Sequence, residues 1–359
     1  MKPLAIVATG ACTPVGTRAW QTACAVTARQ SAFTRLQMPD HIDHQASVAR
    51  LSAIPDAEAG TERLIRLAAP ALREALQAEP SVWPLERPMM LFMALPQRLE
   101  ELPDGYIDAG RFQLELPRAL DLAAEYLPMR VFEGGAAAGA DALAAAYQFM
   151  QKKPAAQQVL IGGVDSLADT QVAQSLYRRG WLKVNRHSEG FMAAEGAAFV
   201  RLGRSAAGGQ ECALVYPPGF GQETAPRVGS ADLLPGTGLI EAVHQALKAA
   251  NLNADALHAF WSDIDGSPWR GSEAASLSAA LAASGGLPAV DDPAAFVGQM
   301  GTAWLPLMLS LFHEMRQAAR HPLMPQSLAG HTALQSVTGL DERLAAWVCA
   351  WTPAHRSPT

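Results

Sequence analysis

Short apolar runs alternate with amphipathic stretches along nearly the whole chain. "LAIVATG" (4–10) is a continuous apolar run that stops at glycine, as a buried strand does, and Thr17 to Arg29 follows it as a helix. "RLIRLAAPALREAL" (Arg63 to Leu76) repeats its apolar residues at helical spacing. "MMLFMAL" (89–95) and "QVLIGGVDS" (158–166) predict buried strands, and "RVF" (130–132) runs through Gly134 and Gly135 into an alanine-rich helix at about 137–152. Thr170 to Arg179 predicts a helix, and "GAAFVRL" (196–202) predicts a strand.

After the soft segment "GRSAAGGQE" (203–211) the pattern starts again. "CALVYPPGF" supplies a strand, Gly238 to Ala250 a helix and "LHAFWSDIDG" a strand. Glu273 to Ala283 is helical, "AAFVGQMGTAWLPLMLSLFHEM" is a turn into an apolar helix, and "LAAWVCAW" (344–351) is a closing strand. Such alternation predicts an α/β protein with largely parallel sheets. Its restart suggests an internal pseudo-repeat, with halves 1–205 and 206–359. The stretch 96–128 fits neither pattern and reads as an insertion that caps a face or mediates contact between subunits.

Composition narrows the picture. The 359 residues are 49% apolar and 17% charged, with a net charge of −6, which argues against a general nucleic-acid binder. "QKK" (151–153) and "YRR" (177–179) are too short to track a phosphate backbone. "MKPLAIVATGACTPVG" reads as a buried first strand rather than a signal peptide, and no run approaches the roughly 20 apolar residues of a membrane span. A cytoplasmic protein is expected. Cys12, Cys24, Cys212 and Cys349 lie far apart, without ligand spacing, and read as small buried hydrophobes in a reducing compartment. "HIDH" (41–44) lies in a loop-like setting that favours no zinc site, and no phosphate-binding or G-x-S-x-G motif occurs. No cofactor and no metal are expected.

Several pieces, in order, resemble the β-ketoacyl synthases of the thiolase-like superfamily. "AIVATGACTPVGTRAW" is similar to that family's opening strand, T-P-x-G turn and helix. "GGAAAGADALAAAYQFM" with "AQQVLIGGVDSLAD" resembles its nucleophile-elbow helix and the next strand, and "SEGFMAAEGAAFVRL" resembles its G-F-x-x-x-E-G-A stretch. "DIDGSPWRGSEAASL" and "FVGQMGTAWLPLML" sit where the family carries its two histidine motifs. The resemblance covers nearly the whole chain. It implies a thiolase-like fold: two βαβαβαββ halves in five layers, α-β-α-β-α, and a dimer, homo- or heteromeric.

It also implies where catalysis should sit, and those places are degenerate. The family's cysteine, three residues before the elbow-helix glycine, falls on Ala136 when counted back from Gly139. Around the first histidine motif stand Asp263 and Asp265, and Gln299 stands nearest the second histidine. A methyl cannot attack a thioester, and an amide donates a hydrogen bond without shuttling a proton near neutral pH. No catalytic residue is therefore expected. His258 lies upstream, where strand geometry would bury it.

Three carboxylates are candidates for a residual pocket. Glu195 matches a family glutamate that is usually structural, and Glu133 is either a solvated strand end or a group facing the old pocket. Asp263 and Asp265, two apart, could share a divalent ion, but with no third acid nearby they read better as loop-capping aspartates. The implied function is a pseudoenzyme that binds protein. It resembles the degenerate ketosynthase-like accessory proteins encoded beside type VI secretion effectors, so an effector or adaptor is the expected partner. The alternative is a chain-length-factor-like subunit of a ketosynthase heterodimer, and a third possibility is a residual acyltransferase using Glu133 or the aspartates.

Overall fold

Apolar runs too short for helices become strands, and their lack of alternation buries both faces of the sheets. The computed structural model describes residues 2–38, 43–78, 85, 87–186, 188–204, 211–223, 235–319 and 332–352. Up to residue 204 the elements are β1 (Leu4–Cys12), α1 (Ala19–Thr27), β2 (Phe33–Gln37), β3 (Gln45–Ala49), α2 (Gly60–Gln77), β4 (Leu91–Pro96), α3 (Ala109–Arg118), β5 (Met129–Gly134), α4 (Ala138–Lys152), β6 (Gln158–Ser166), α5 (Thr170–Arg178) and β7 (Ala193–Arg204). From residue 212 they are β8 (Cys212–Val215), β9 (Gly219–Gln222), α6 (Thr237–Ala250), β10 (Ala259–Trp261), α7 (Pro268–Leu281), β11 (Val290–Asp291), α8 (Ala294–Val297), α9 (Trp304–Ala319), β12 (Thr332–Thr338) and β13 (Arg343–Thr352).

The strands hydrogen-bond in the order β11-β10-β12-β13-β8-β1-β7-β6-β4-β5. Outward from the β8/β1 junction both wings have the same plan: the outer strands pair in parallel (β10 with β11 and β12; β4 with β5 and β6), and the inner ones are antiparallel. Among the described residues, the backbone pairing that joins the wings is Leu4↔Val215, Ala5↔Leu214 and Ile6↔Ala213. The boundary expected at 205/206 lies outside the described residues.

Three apolar cores give the layers. Leu64, Leu67 and Leu72 of α2, with Phe112 and Leu116 of α3, pack on Leu91, Leu160 and Phe199 of one wing. Leu239 and Val243 of α6 and Leu277 of α7 pack on Phe260, Leu334 and Val348 of the other. Between the wings, Leu143 and Ala146 of α4 face Trp304, Leu305 and Met308 of α9, together with Val26 of α1. The fold is thus the five-layer α/β arrangement of the ketosynthases. The two central helices cross closely because Gly139 lacks a side chain; a Cβ there would sit 2.9 Å from Leu305 Cβ.

Some expectations needed correction. The expected strand 257–266 ends at Trp261, because Asp263 and Asp265 leave the sheet to meet Arg270. His258 is exposed rather than buried, its Nδ1 2.9 Å from Thr332 Oγ1. Cys24 is exposed and Cys212 half-buried, while Cys12 and Cys349 are buried. α2 starts at Gly60, whose N–H is held by the distant Asp169 Oδ2 at 3.2 Å, and α7 starts at Pro268, with proline in its first turn. The stretch 96–128 contains α3, which packs on α2. Of the "HIDH" pair, His41 lies outside the described residues, and His44 Nδ1 meets the Tyr177 hydroxyl at 2.5 Å.

Candidate functional site

Where β5 turns into α4, Gly134, Gly135 and Ala136 form one wall of a cavity of about 390 Å³. Tyr106 and the segment 96–100 cover it from one side, Asp165, Ser166 and Asp169 after β6 from another, and Gln299, Gly301, Arg270, Thr338 and Asp341 close the rest. Its volume falls in the ordinary small-molecule range. Ala136 is buried and presents only a methyl group at the start of α4. Among the described residues lining the cavity, none is a cysteine or a histidine.

The other sequence candidates separate. Gln299 lines the cavity, fixed by its backbone to Met192 and Ala194 and by its side chain, whose Nε2 donates to the Asp263 carbonyl at 2.6 Å. Asp265 and Asp263 stand behind the wall, and the cation they share is Arg270. Asp265 Oδ2 pairs with Nη1, while its Oδ1 accepts from Ser267 N (3.0 Å) and Ser267 Oγ (2.7 Å). Asp263 Oδ2 lies 3.2 Å from Arg270 Nε and accepts from Thr338 N at 2.9 Å. Burial pushes the Asp263 carboxyl above the usual carboxylate range, and Arg270 opposes the shift. The guanidinium itself is 3% exposed and lies 4.1 Å over the Trp269 ring.

Glu133 and Glu195 do not line the cavity. Glu133 lies near the end of β5, the edge strand of its wing, and is exposed. Glu195 is fully buried in β7 and saturated: Arg63 grips it through Nε (2.6 Å) and Nη2 (2.7 Å), and Leu51 N and Ser166 Oγ each donate at 2.7 Å. The Ser166 hydroxyl is thereby committed to the buried ion pair. The Tyr106 hydroxyl is likewise committed, donating to Asp169 Oδ1 at 2.5 Å.

Sequence reasoning missed Asp165 and Arg270. Asp165 is 4% exposed; its Oδ1 accepts from Ser166 N at 2.8 Å and its Oδ2 from Thr302 N at 3.0 Å. Burial raises its pKa to about 7, against the lowering effect of those donors. Gly301 turns beside it with φ +48°, and any Cβ there would strike Asp165 Oδ2. The signals were a lone aspartate after the "GGV" strand and an arginine five residues beyond Asp265, neither of which is a motif. The arrangement can bind and orient a small molecule, and among the lining residues it offers no activated nucleophile.

Comparison with solved structures shows that the five-layer α/β fold is shared with ketosynthases. The chain is similar to the ketosynthase ApeO in complex with its chain length factor ApeC from Xenorhabdus doucetiae (13% identity, TM-score 0.76, covering 97% of this chain and 98% of that one). It is similar to a β-ketoacyl synthase from Burkholderia phymatum (16%, 0.72, 98% and 99%) and to the ishigamide ketosynthase/chain length factor (16%, 0.67, 97% and 99%). No family model and no curated protein matches the sequence. Among the described residues no helix is long and apolar enough to cross a membrane, and no three of His, Cys, Asp or Glu are grouped to hold a metal ion.

Proposed function

We propose that this chain is a non-catalytic ketosynthase-like subunit that pairs with an active ketosynthase, as a chain-length factor does. One observation carries the reading: the methyl of Ala136 stands at the start of α4 in a cavity without a lining cysteine or histidine. Ala136, Asp265 and Gln299 are then the degenerate catalytic positions, and 1–205 and 206–359 are the two halves of a duplicated unit. The names of similar solved structures support a heteromeric partner, since they include a ketosynthase/chain length factor and a ketosynthase in complex with its chain length factor.

The effector-adaptor reading rests on sequence resemblance alone; nothing in those names supports it, and it stands second. The residual acyltransferase is weakened by the exposure of Glu133 and by the grip of Arg270 on both aspartates. Co-expression with candidate ketosynthases and with type VI effectors, followed by gel filtration, separates the readings. A heterodimer with a ketosynthase is expected. A chain that copurifies with an effector and never with a ketosynthase would overturn the proposal.

A further inference from the structure

The cavity beside Ala136 is lined by three arginines, and each is already committed to a carboxylate outside the lining. Arg98 pairs with Asp104, Arg179 with Glu101 through Nε and Nη2, and Arg270 with Asp263 and Asp265. Asp165 has no such counterpart: its hydrogen bonds come from the Ser166 and Thr302 backbone N–H groups and the Thr302 side chain, and no cationic side chain pairs with it among the described residues. The α4 N-terminus contributes a partial positive charge of about half a unit. Asp341 offsets it, because its Oδ1 would lie 2.8 Å from a Cβ built on Gly135 at that same end. Above about pH 7, where Asp165 is ionised, the interior is therefore left with an excess of negative charge, within low-dielectric walls that strengthen its effect.

The walls suit one kind of guest. Trp181 and Phe191 line the same cavity as Asp165, with Leu99 and Leu176. Both rings already lie near a guanidinium, Trp181 at 5.2 Å from Arg179 and Phe191 at 5.9 Å from Arg270. Aromatic faces and an uncompensated carboxylate together favour an organic cation and disfavour an anion. A free carboxylate or phosphate entering here would meet Asp165 with every arginine occupied.

We propose that this cavity binds a small organic cation, an ammonium on a short apolar body, with Asp165 as its counter-ion and Trp181 and Phe191 as aromatic walls. The proposal rests on the non-catalytic reading, which leaves the cavity free of a covalently held acyl chain.

Isothermal titration calorimetry of the full chain tests it with three probes of equal length: n-hexylammonium, hexanoate and 1-hexanol. Hexylammonium binds at least about ten-fold more tightly than either of the others, and Asp165→Asn removes that preference. Trp181→Ala weakens hexylammonium binding by about three-fold. Equal or tighter binding of hexanoate or hexanol, or no binding of any probe, overturns the proposal. So does an undiminished preference in a folded Asp165→Asn protein. Should that variant fail to fold, Trp181→Ala, at a half-buried position, decides: unchanged hexylammonium affinity overturns the assignment. Gel filtration with a ketosynthase reads the underlying function separately. A heterodimer without amine binding removes only the cation site, while amine binding without a heterodimer removes only the subunit reading.

Discussion

Glu195 and Arg63 form a buried ion pair whose four Glu195 contacts tie β7, α2, β6 and Leu51 together. Removing one partner leaves the other charge buried and unpaired, so Arg63→Ala lowers unfolding free energy by about 3–5 kcal/mol in urea titration. Asp165 acts in the opposite sense. Its folded pKa, about 7, lies above the ordinary 3.8, so between those values the native state holds a proton that the unfolded state releases. Its contribution to stability is present below the unfolded value and is lost as pH rises towards 7. Relative to the parent, Asp165→Asn therefore gains stability as pH rises from about 5 to about 8, in unfolding curves measured across that range. A flat difference would refute the linkage. At this scale Ala136 and Gln299 were singled out by the resemblance alone, and both line the cavity. The sequence hides Arg270 and Asp165, because what makes them matter is burial and partners far away in the chain, such as Thr302 and Thr338.

Among the elements, those legible beforehand were the ones with strong periodicity or unbroken apolar runs, such as α2, β4, β6 and α4. β12 was not legible, since "TALQSVT" is half polar, yet six of its seven residues are buried. Its buried amide is satisfied internally: Gln335 accepts from Trp347 Nε1 at 2.6 Å and donates to Met308 O at 3.2 Å. The β2–β3 hairpin also escaped notice, because its exposed edge strand carries little apolar signal. Packing of α4 on α9 supplies a prediction. Gly139→Ala places a methyl 2.9 Å from Leu305 Cβ, and the overpacking costs about 1–3 kcal/mol, read as a lowered midpoint of thermal unfolding. An unchanged midpoint would mean that the two helices are not in close contact.

For the whole molecule, the ordered set of weak motifs pointed to five layers, and the cores on either side of and between the sheets agree. Partnership was less legible, because a fold does not by itself name what binds to it. Restoring the thiol alone should not restore chemistry: Ala136→Cys incubated with acyl and malonyl thioesters yields no condensation product by mass spectrometry, since Gln299 and the Arg270-bound aspartates supply no proton shuttle. Measurable turnover would show that the cavity is one substitution from activity. The narrow seam between the wings has a consequence for biogenesis. β1 leaves the ribosome long before its neighbours, which are β7, ending at Arg204, and β8, ending at Val215. All the elements from α1 to β7 must be synthesised before that strand can be seated, so until then it is an unpaired apolar edge, and nascent chains stalled before Arg204 should be the species that chaperones capture.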